Sequence, residues 1–418
     1  MRILVLSNFY PPHFIGGYEL ACRDMVHALT ARGHEVRVLT SSYGVTGRRQ
    51  DGTVCRWLMT NLDWNVENFP RYLWKLVTRE LVNQRAFRTM CEPFHPDVVY
   101  AWNLSGVSLS ACLDAERRAL PVSYFVFDGW LAEPTRDPWC ALIDHRPRRT
   151  FRRLGWRLAQ AILQRAGLLP RSSELDLRHA QFASRYLKKT ALKSGRPVAG
   201  AKVIYWGLDL EQYPYKPAPS RGARLLYVGQ LAPHKGLHTA IEALQLLRRE
   251  VAGATLTVVG DSTFSDYKAE LDRMIARLQL KRHVIFMGRL PREDVTSLYA
   301  DHDVLIFPSV WDEPFGITLL EAMASGIPVV ATATGGAAEI LEEHENALVF
   351  SRGDAAGCAG CIGRLLTNPE LYERLRTGGR RTVERRFVLE RTVDEVEIDL
   401  ETLAGHAGAD RQPGGLLP

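Results

Sequence analysis

The segment Pro308-Ser309-Val310-Trp311-Asp312-Glu313-Pro314-Phe315-Gly316-Ile317-Thr318-Leu319-Leu320-Glu321 sets two carboxylates around the start of a helix. An apolar strand, Val304–Phe307, runs into Pro308-Ser309, and a helical pattern opens around Gly316–Thr318. The first backbone N–H groups of such a helix, at Phe315, Gly316, Ile317 and Thr318, have no intrahelical acceptor. They sit at its positive end, a natural cradle for a phosphate. Glu313 lies on the loop just ahead, where a sugar carried by that phosphate would lie. Glu321, a turn or so inside the helix, offers two acceptor oxygens to the paired hydroxyls of a ribose. For a lone pair of glutamates, an acidic helix start favoured by the dipole would be the better reading. The Pro-Phe-Gly ahead of the helix and the Ala-Ser-Gly-Ile-Pro-Val-Val run behind it favour a site instead.

The elements that must position these groups form two series of alternating strands and helices. Residues 2–7 read as a continuous apolar strand, buried on both faces of a parallel sheet. A loop with Pro11, Pro12, Gly16 and Gly17 follows, then a helix over Tyr18–Arg32, stopped by Gly33, and a second strand at Glu35–Thr40. Further strands are expected at Pro96–Ala101, Val122–Phe127 and Gln181–Ala183. After a linker over Gly207–Gly222 the pattern restarts. Strands are expected at Arg224–Val228, Thr255–Val259, Val284–Met287, Val304–Phe307 and Pro328–Ala331. Helices are expected at Gly236–Arg249, Asp266–Leu278, Pro291–Ala300 and Ile317–Ser325. The result is α/β with two Rossmann-like, doubly wound domains, whose ligands bind beyond the carboxyl ends of the strands. The divisions expected are 1–212, 213–385, a C-terminal helix at 386–404 returning to the first domain, and a disordered tail at 405–418.

Composition sets outer bounds. The chain has 418 residues, 46% hydrophobic and 24% charged, as in a soluble globular protein of more than one domain. The short apolar run after Met1 is no signal peptide, and no stretch has the length of a spanning helix, so a cytoplasmic location is expected. Seven cysteines include the pair Cys358 and Cys361, with no second pair to complete a zinc site; reduced core thiols are the expectation. The net charge of +6 is uneven: residues 1–215 hold 30 Lys and Arg against 19 Asp and Glu, and the rest 23 against 28. Over Arg146–Leu169, Arg148, Arg149, Arg152, Arg153 and Arg157 alternate with Phe151, Leu154, Leu158, Ala161 and Ile162 at helical spacing. That is a basic amphipathic helix suited to an anionic membrane surface, or equally a surface helix with a solvated basic face. No nucleic-acid recognition motif accompanies the basic residues, and nucleic acid is not an expected partner.

The segment around Glu313 and Glu321 resembles the E-P-F-G…E-A-M-A-x-G-x-P-V-V-A-T signature of the retaining GT-B glycosyltransferases of family 4, and the resemblance extends over nearly the whole chain. It implies two domains facing across a cleft, with the acceptor on the N-terminal domain and the nucleotide sugar on the C-terminal one. Glu313 would sit near the donor sugar and Glu321 on the ribose. Tyr227–Gly236 is similar to the family's G-R-L-x-x-x-K-G loop, with Gly229 allowing close backbone approach and Lys235 neutralising the leaving diphosphate. Gln230 stands where many members have Arg. Pro11–Gly17 resembles the family's glycine loop, so Gly16 and Gly17 would approach the donor phosphate. Gly33-His34-Glu35-Val36 is expected to be structural, and Thr334–Glu339 matches the family's G-G-x-x-E. Asp128, after the strand Val122–Phe127, takes the place of a family His near the reacting sugar; it could bind a donor hydroxyl or take the acceptor proton, or simply form an Asp-Gly turn. The base would be contacted by backbone near Phe286–Leu290, including Gly288.

The reaction implied is a front-face transfer with retention, in which the leaving oxygen accepts the acceptor's proton. The catalytic set is then Glu313, Asp128 and Lys235. No Asp-x-Asp motif appears in the needed context, and neither a metal nor any other cofactor is expected. The implied partners are a nucleotide-sugar donor and a glycan or lipid-linked acceptor, as in polysaccharide or glycoconjugate synthesis. The alternatives are a nucleotide-sugar epimerase of the same fold and a non-catalytic nucleotide-sugar binding protein.

Overall fold

The computed structural model describes all residues except 63–68, 133–138, 140–149, 167, 170–173, 217–222, 263–264 and 411–418; the side chains of 69, 150–156, 265 and 406–410 are likewise outside the description. The chain forms two compact units, Met1–Ile204 with Val393–Pro418, and Tyr205–Thr392.

The first unit runs β1 (Arg2–Ser7), α1 (Gly17–Ala31), β2 (Glu35–Ser41), β3 (Arg49–Asp51), β4 (Val54–Leu58), α2 (Phe69–Phe94) and β5 (Val98–Ala101). It continues with α3 (Ser110–Arg117), β6 (Val122–Val126), α4 (Thr150–Arg165), β7 (Ala180–Phe182), α5 (Arg185–Lys193) and β8 (Lys202–Val203). Its sheet has the order β3-β4-β2-β1-β5-β6-β7-β8. Only the β3–β4 hairpin is antiparallel. The strand order reverses between β1 and β5, so the loops after β1, β5 and β6 open where ligands bind in such sheets.

The second unit runs β9 (Arg224–Val228), α6 (Leu237–Leu247), β10 (Thr255–Val259), α7 (Ser265–Arg277), β11 (Val284–Gly288), α8 (Arg292–Asp301) and β12 (Val304–Phe307). Then come α9 (Ile317–Ser325), β13 (Val329–Ala331), β14 (Ala347–Val349), α10 (Ala355–Thr367) and α11 (Pro369–Arg386); the last helix, α12 (Leu389–Asp410), belongs to the first unit from Val393 onward. Its all-parallel sheet has the order β11-β10-β9-β12-β13-β14, with the switch point between β9 and β12. Leu225, Tyr227, Leu237, Ile241, Leu244, Leu256, Val258 and Ile306 form the buried heart of this unit. Cys358 of α10 belongs to the same core, and Cys361 is free beside it.

The closing helical stretch is interrupted at Phe387-Val388. There the backbone leaves the helix to pair with the segment that opens the second unit: Leu208 N donates to Phe387 O at 2.8 Å and Leu389 N to Leu208 O at 2.9 Å. A Cβ on Gly207 would stand 2.2 Å from the Val388 carbonyl carbon, so only glycine permits this crossing. α12 continues through Gly405 to Asp410, so the stretch expected to be disordered from Gly405 is helical that far. In the first unit Glu397 of α12 accepts from Arg32 Nη1 at 2.5 Å and lies 2.6 Å from His34 Nε2, while Asp399 accepts from Gln181 Nε2 at 3.1 Å. The Gly33-His34-Glu35 segment is thus a structural anchor. Among the described residues no helix is long and apolar enough to cross a membrane. Of the basic segment Arg146–Leu169, Arg148, Arg149, Arg152, Arg153, Phe151 and Leu154 lie outside the described side chains.

Candidate active site

In the second unit two loops meet at the switch point. The loop after β9 ends at Gly236 (φ 70°), which a Cβ would drive to 1.9 Å from the Pro308 carbonyl oxygen at the end of β12. Glycine therefore lets the two strand ends touch, and Val310 N donates to His234 O at 3.0 Å across the contact. Lys235 is brought onto Glu313: Nζ donates to Oε1 at 3.0 Å and Oε2 at 2.8 Å. Ser309 Oγ adds a bond to Oε1 at 2.6 Å. Glu313 is only 3% exposed. The Lys235 ammonium also lies 5.2 Å from the Trp311 ring centroid, and the His234 ring sits 4.5 Å from the same ring.

Behind Glu313 runs the Thr334–Glu339 loop. A Cβ on Gly335 (φ 54°) would meet the Glu313 carbonyl oxygen at 2.4 Å, and Gly336 N donates to that oxygen at 2.6 Å. This loop clamps the backbone that carries the carboxylate. α9 then opens at Gly316 (φ 125°) with no side-chain cap, leaving its first N–H groups directed out of the helix end. The Phe315 side chain is 1% exposed and packs on Tyr205 and Phe387, so it anchors the loop, and only its backbone belongs to the rim of the site. Ile317 and Thr318 are half-buried at the helix start.

Glu321 is held by two phenols that the sequence reading did not include. Tyr213 OH donates to Oε1 at 2.9 Å and Tyr299 OH to Oε2 at 2.8 Å, while Arg292 Nε donates to Tyr213 OH at 3.1 Å. Burial, and then the adjoining carboxylate, pushes both phenols up, so they remain donors. Each carboxylate oxygen keeps a further lone pair for another donor. Gly229 and Gln230 follow β9; Gly229 N donates to Val259 O at 3.0 Å, and Tyr227 OH donates to the Gln230 carbonyl at 2.9 Å. Gly288 (φ 70°) ends β11 and accepts from Gly260 N at 2.8 Å. Asp301-His302-Asp303 is an Asp-x-Asp by spacing, but Asp303 is fully buried and accepts from Arg224 N at 3.0 Å, with Lys216 Nζ 3.5 Å away.

In the first unit the ends of β1, β5 and β6 carry a polar cluster. Asp128 caps the short turn after β6, Oδ1 accepting from Trp130 N at 3.1 Å, and Oδ2 accepts from Asn103 Nδ2 at 2.8 Å. The Asp-Gly turn and a held carboxylate are therefore the same feature. Tyr18 OH donates to Asn8 Oδ1, and Asn8 Nδ2 donates to Ser105 O at 3.1 Å. Gly16 caps α1, and Glu19 reaches back to accept from Ile15 N at 3.1 Å and Gly16 N at 2.9 Å. Burial pushes the Glu19 carboxyl up to about 7, against the pull of those backbone donors, and Asp128 adds to the rise. Arg56 of β4 braces the loop from the other side, donating to Tyr10 O at 2.9 Å and Pro11 O at 2.6 Å. Glu19, Asn8 and Asn103 went unread in the sequence, although Gly16-Gly17-Tyr18-Glu19 carries the spacing of a capping box.

Two α/β units, the second with its ion pair and uncapped helix end at the switch point, define a protein of the doubly wound class, whose ligands bind beyond the carboxyl ends of the strands. Residues 213–382 match the family model of glycosyl transferases group 1, and residues 16–178 match the glycosyl transferase 4-like domain. The chain belongs to the group 1, family 4 glycosyltransferases, and its fold is GT-B. Glycogen synthase of Mycobacterium tuberculosis is 34% identical over 226 residues, 54% of this chain and 53% of that protein. The match thus spans about half the length of that relative. The uncharacterized glycosyltransferase MJ1607 of Methanocaldococcus jannaschii is 23% identical over 96% of this chain and all of its own length. Among solved structures, Anabaena Alr3699/HepE in complex with UDP and glucose superposes with a TM-score of 0.70 at 22% identity, covering 96% of this chain and 100% of that one. Sucrose-phosphate synthase from Thermosynechococcus elongatus gives 0.72 at 20% identity, covering 97% and 99%.

Proposed function

We propose that the protein is a retaining glycosyltransferase that moves a sugar from a nucleotide diphosphate sugar to a glycan or lipid-linked acceptor, without a divalent ion, in polysaccharide or glycoconjugate synthesis. The observation that carries the reading is the buried Glu313 carboxylate, gripped by Lys235 and Ser309 beside the uncapped start of α9. On this reading the diphosphate lies at the N-terminus of α9 with Lys235 as its counter-charge, and Glu321 takes the ribose hydroxyls. Glu313 orients the sugar. Asp128, held by Asn103, takes a sugar hydroxyl. Glu313 and Glu321 have different partners and lie eight residues apart, which does not suit two acids flanking one scissile bond. A front-face transfer, with the departing oxygen accepting the proton, fits better.

The test is a donor screen in the presence of EDTA, following thermal shift and slow donor hydrolysis with UDP-, GDP- and ADP-sugars. Uridine donors come first, since several solved structures of this fold hold UDP or UDP-glucose. Stabilisation by one nucleotide, lost in Lys235→Ala, with hydrolysis lost in Glu313→Ala, is the expected outcome. The absence of any nucleotide shift, with or without metal, would sink the reading.

A further inference from the structure

The first unit leaves four large apolar side chains uncovered on two helices that share one buried cluster. Ala159 and Leu163 of α4 pack on the cluster of Tyr72, Leu76, Trp139 and Leu169, alongside Leu73 and Val77 of α2. The neighbouring positions are left in water: Trp74 at 68% and Leu81 at 53% on α2, Leu158 at 63% and Ile162 at 59% on α4. These are four of the five most exposed large hydrophobics among the described residues, so the exposure is concentrated rather than scattered. Trp74 and Leu81 are seven residues apart and Leu158 and Ile162 four apart, so each pair shares one helix face.

The same helices are cationic outside. Arg85 stands exposed on α2, one turn from Leu81, and Arg157 and Arg165 stand exposed on α4. Of the acids on α2, Glu80 is buried against Arg79 and Trp139, and Glu92 lies near the far end; α4 has none. A second copy of the chain docking here face to face would set like charges against each other. An anionic bilayer meets both demands at once, taking the apolar side chains below its headgroups and the guanidinium groups at them.

We propose that this two-helix face is a docking surface for an anionic lipid bilayer, entered by Trp74, Leu81, Leu158 and Ile162. The surface belongs to the first unit, and it favours a lipid-linked acceptor over a freely diffusing one. The experiment reads binding alone, so it succeeds or fails independently of the donor chemistry. The purified full chain is floated with vesicles of phosphatidylcholine, or of phosphatidylcholine mixed with phosphatidylglycerol, at low and high salt. Partition onto the mixed vesicles only, weakened by salt, is expected. Arg157→Gln with Arg165→Gln should lower it roughly 25-fold, at about fivefold per cation. Trp74→Ser with Leu158→Ser should lower it at least about tenfold, with unchanged circular dichroism and melting. The proposal is overturned if the wild type ignores the mixed vesicles, or if the apolar variant binds them as well as the wild type. It is also overturned if the lipid-free chain self-associates in sedimentation velocity and Trp74→Ser abolishes it, which would assign the face to a second copy.

Discussion

The Lys235–Glu313 pair should behave asymmetrically when either partner is removed. The Glu313 side chain is 4% exposed and that of Lys235 25%, and the carboxylate has one further side-chain donor, Ser309 Oγ at 2.6 Å. Lys235→Met strips the charge partner from a buried carboxylate, a loss of about 3–5 kcal/mol for a fully buried pair. Water reaching the lysine's side reduces that to about 2–3 kcal/mol. Glu313→Gln leaves an ammonium that can turn to solvent, and should cost about 1 kcal/mol. The double variant should fall near about 1–2 kcal/mol, so the cycle closes with a coupling of roughly 1–3 kcal/mol. Urea unfolding of the full chain is the assay. Because the chain has two units, two transitions are possible, and the mild core truncation Ile241→Val marks the one that belongs to the second unit. A coupling below about 0.5 kcal/mol, or a Glu313→Gln cost larger than that of Lys235→Met, would refute the reasoning.

Other consequences are equally direct. Glu19 is held near 7 against an ordinary 4.5, so the folded chain binds a proton that the unfolded chain has released between those values. Stability should therefore fall as pH rises from 4.5 to 7, by about 3 kcal/mol in all. Melting curves of Glu19→Gln across that range should be flatter than the wild type's, and an equal slope would count against the raised carboxyl. Gly236→Ala adds a Cβ 1.9 Å from the Pro308 oxygen at a positive φ, and should destabilise the second unit by more than about 3 kcal/mol in urea; a cost under 1 would contradict the close approach. Tyr213→Phe removes one of the two phenol donors that orient Glu321, and nucleotide affinity should drop roughly fivefold by titration calorimetry with the melt little changed. An unaltered affinity would remove Tyr213 from the site.

What the sequence disclosed and what it hid have physical causes. The strands of the second unit were legible because parallel strands covered on both faces read as unbroken apolar runs, and Leu225–Val228 and Val304–Phe307 are such runs. Glu313, Lys235 and Glu321 could be singled out because local spacing sets them on strand-to-helix loops. That Lys235 and Glu313 touch is a consequence of the sheet order, which places β9 beside β12 although 75 residues separate Val228 from Val304 along the chain. The Tyr213 and Tyr299 phenols on Glu321 could not be read for the same reason, since one precedes the sheet and the other sits at the end of α8. α2 escaped because its outer face carries Trp74 and Leu81, which blur the apolar stripe that marks a helix packed on one side. The feature that concealed the helix is the one that now argues for its surface. An apolar residue on the wrong face of a periodic pattern is noise to a secondary-structure reading, but it is signal once burial shows that no part of the described chain covers it.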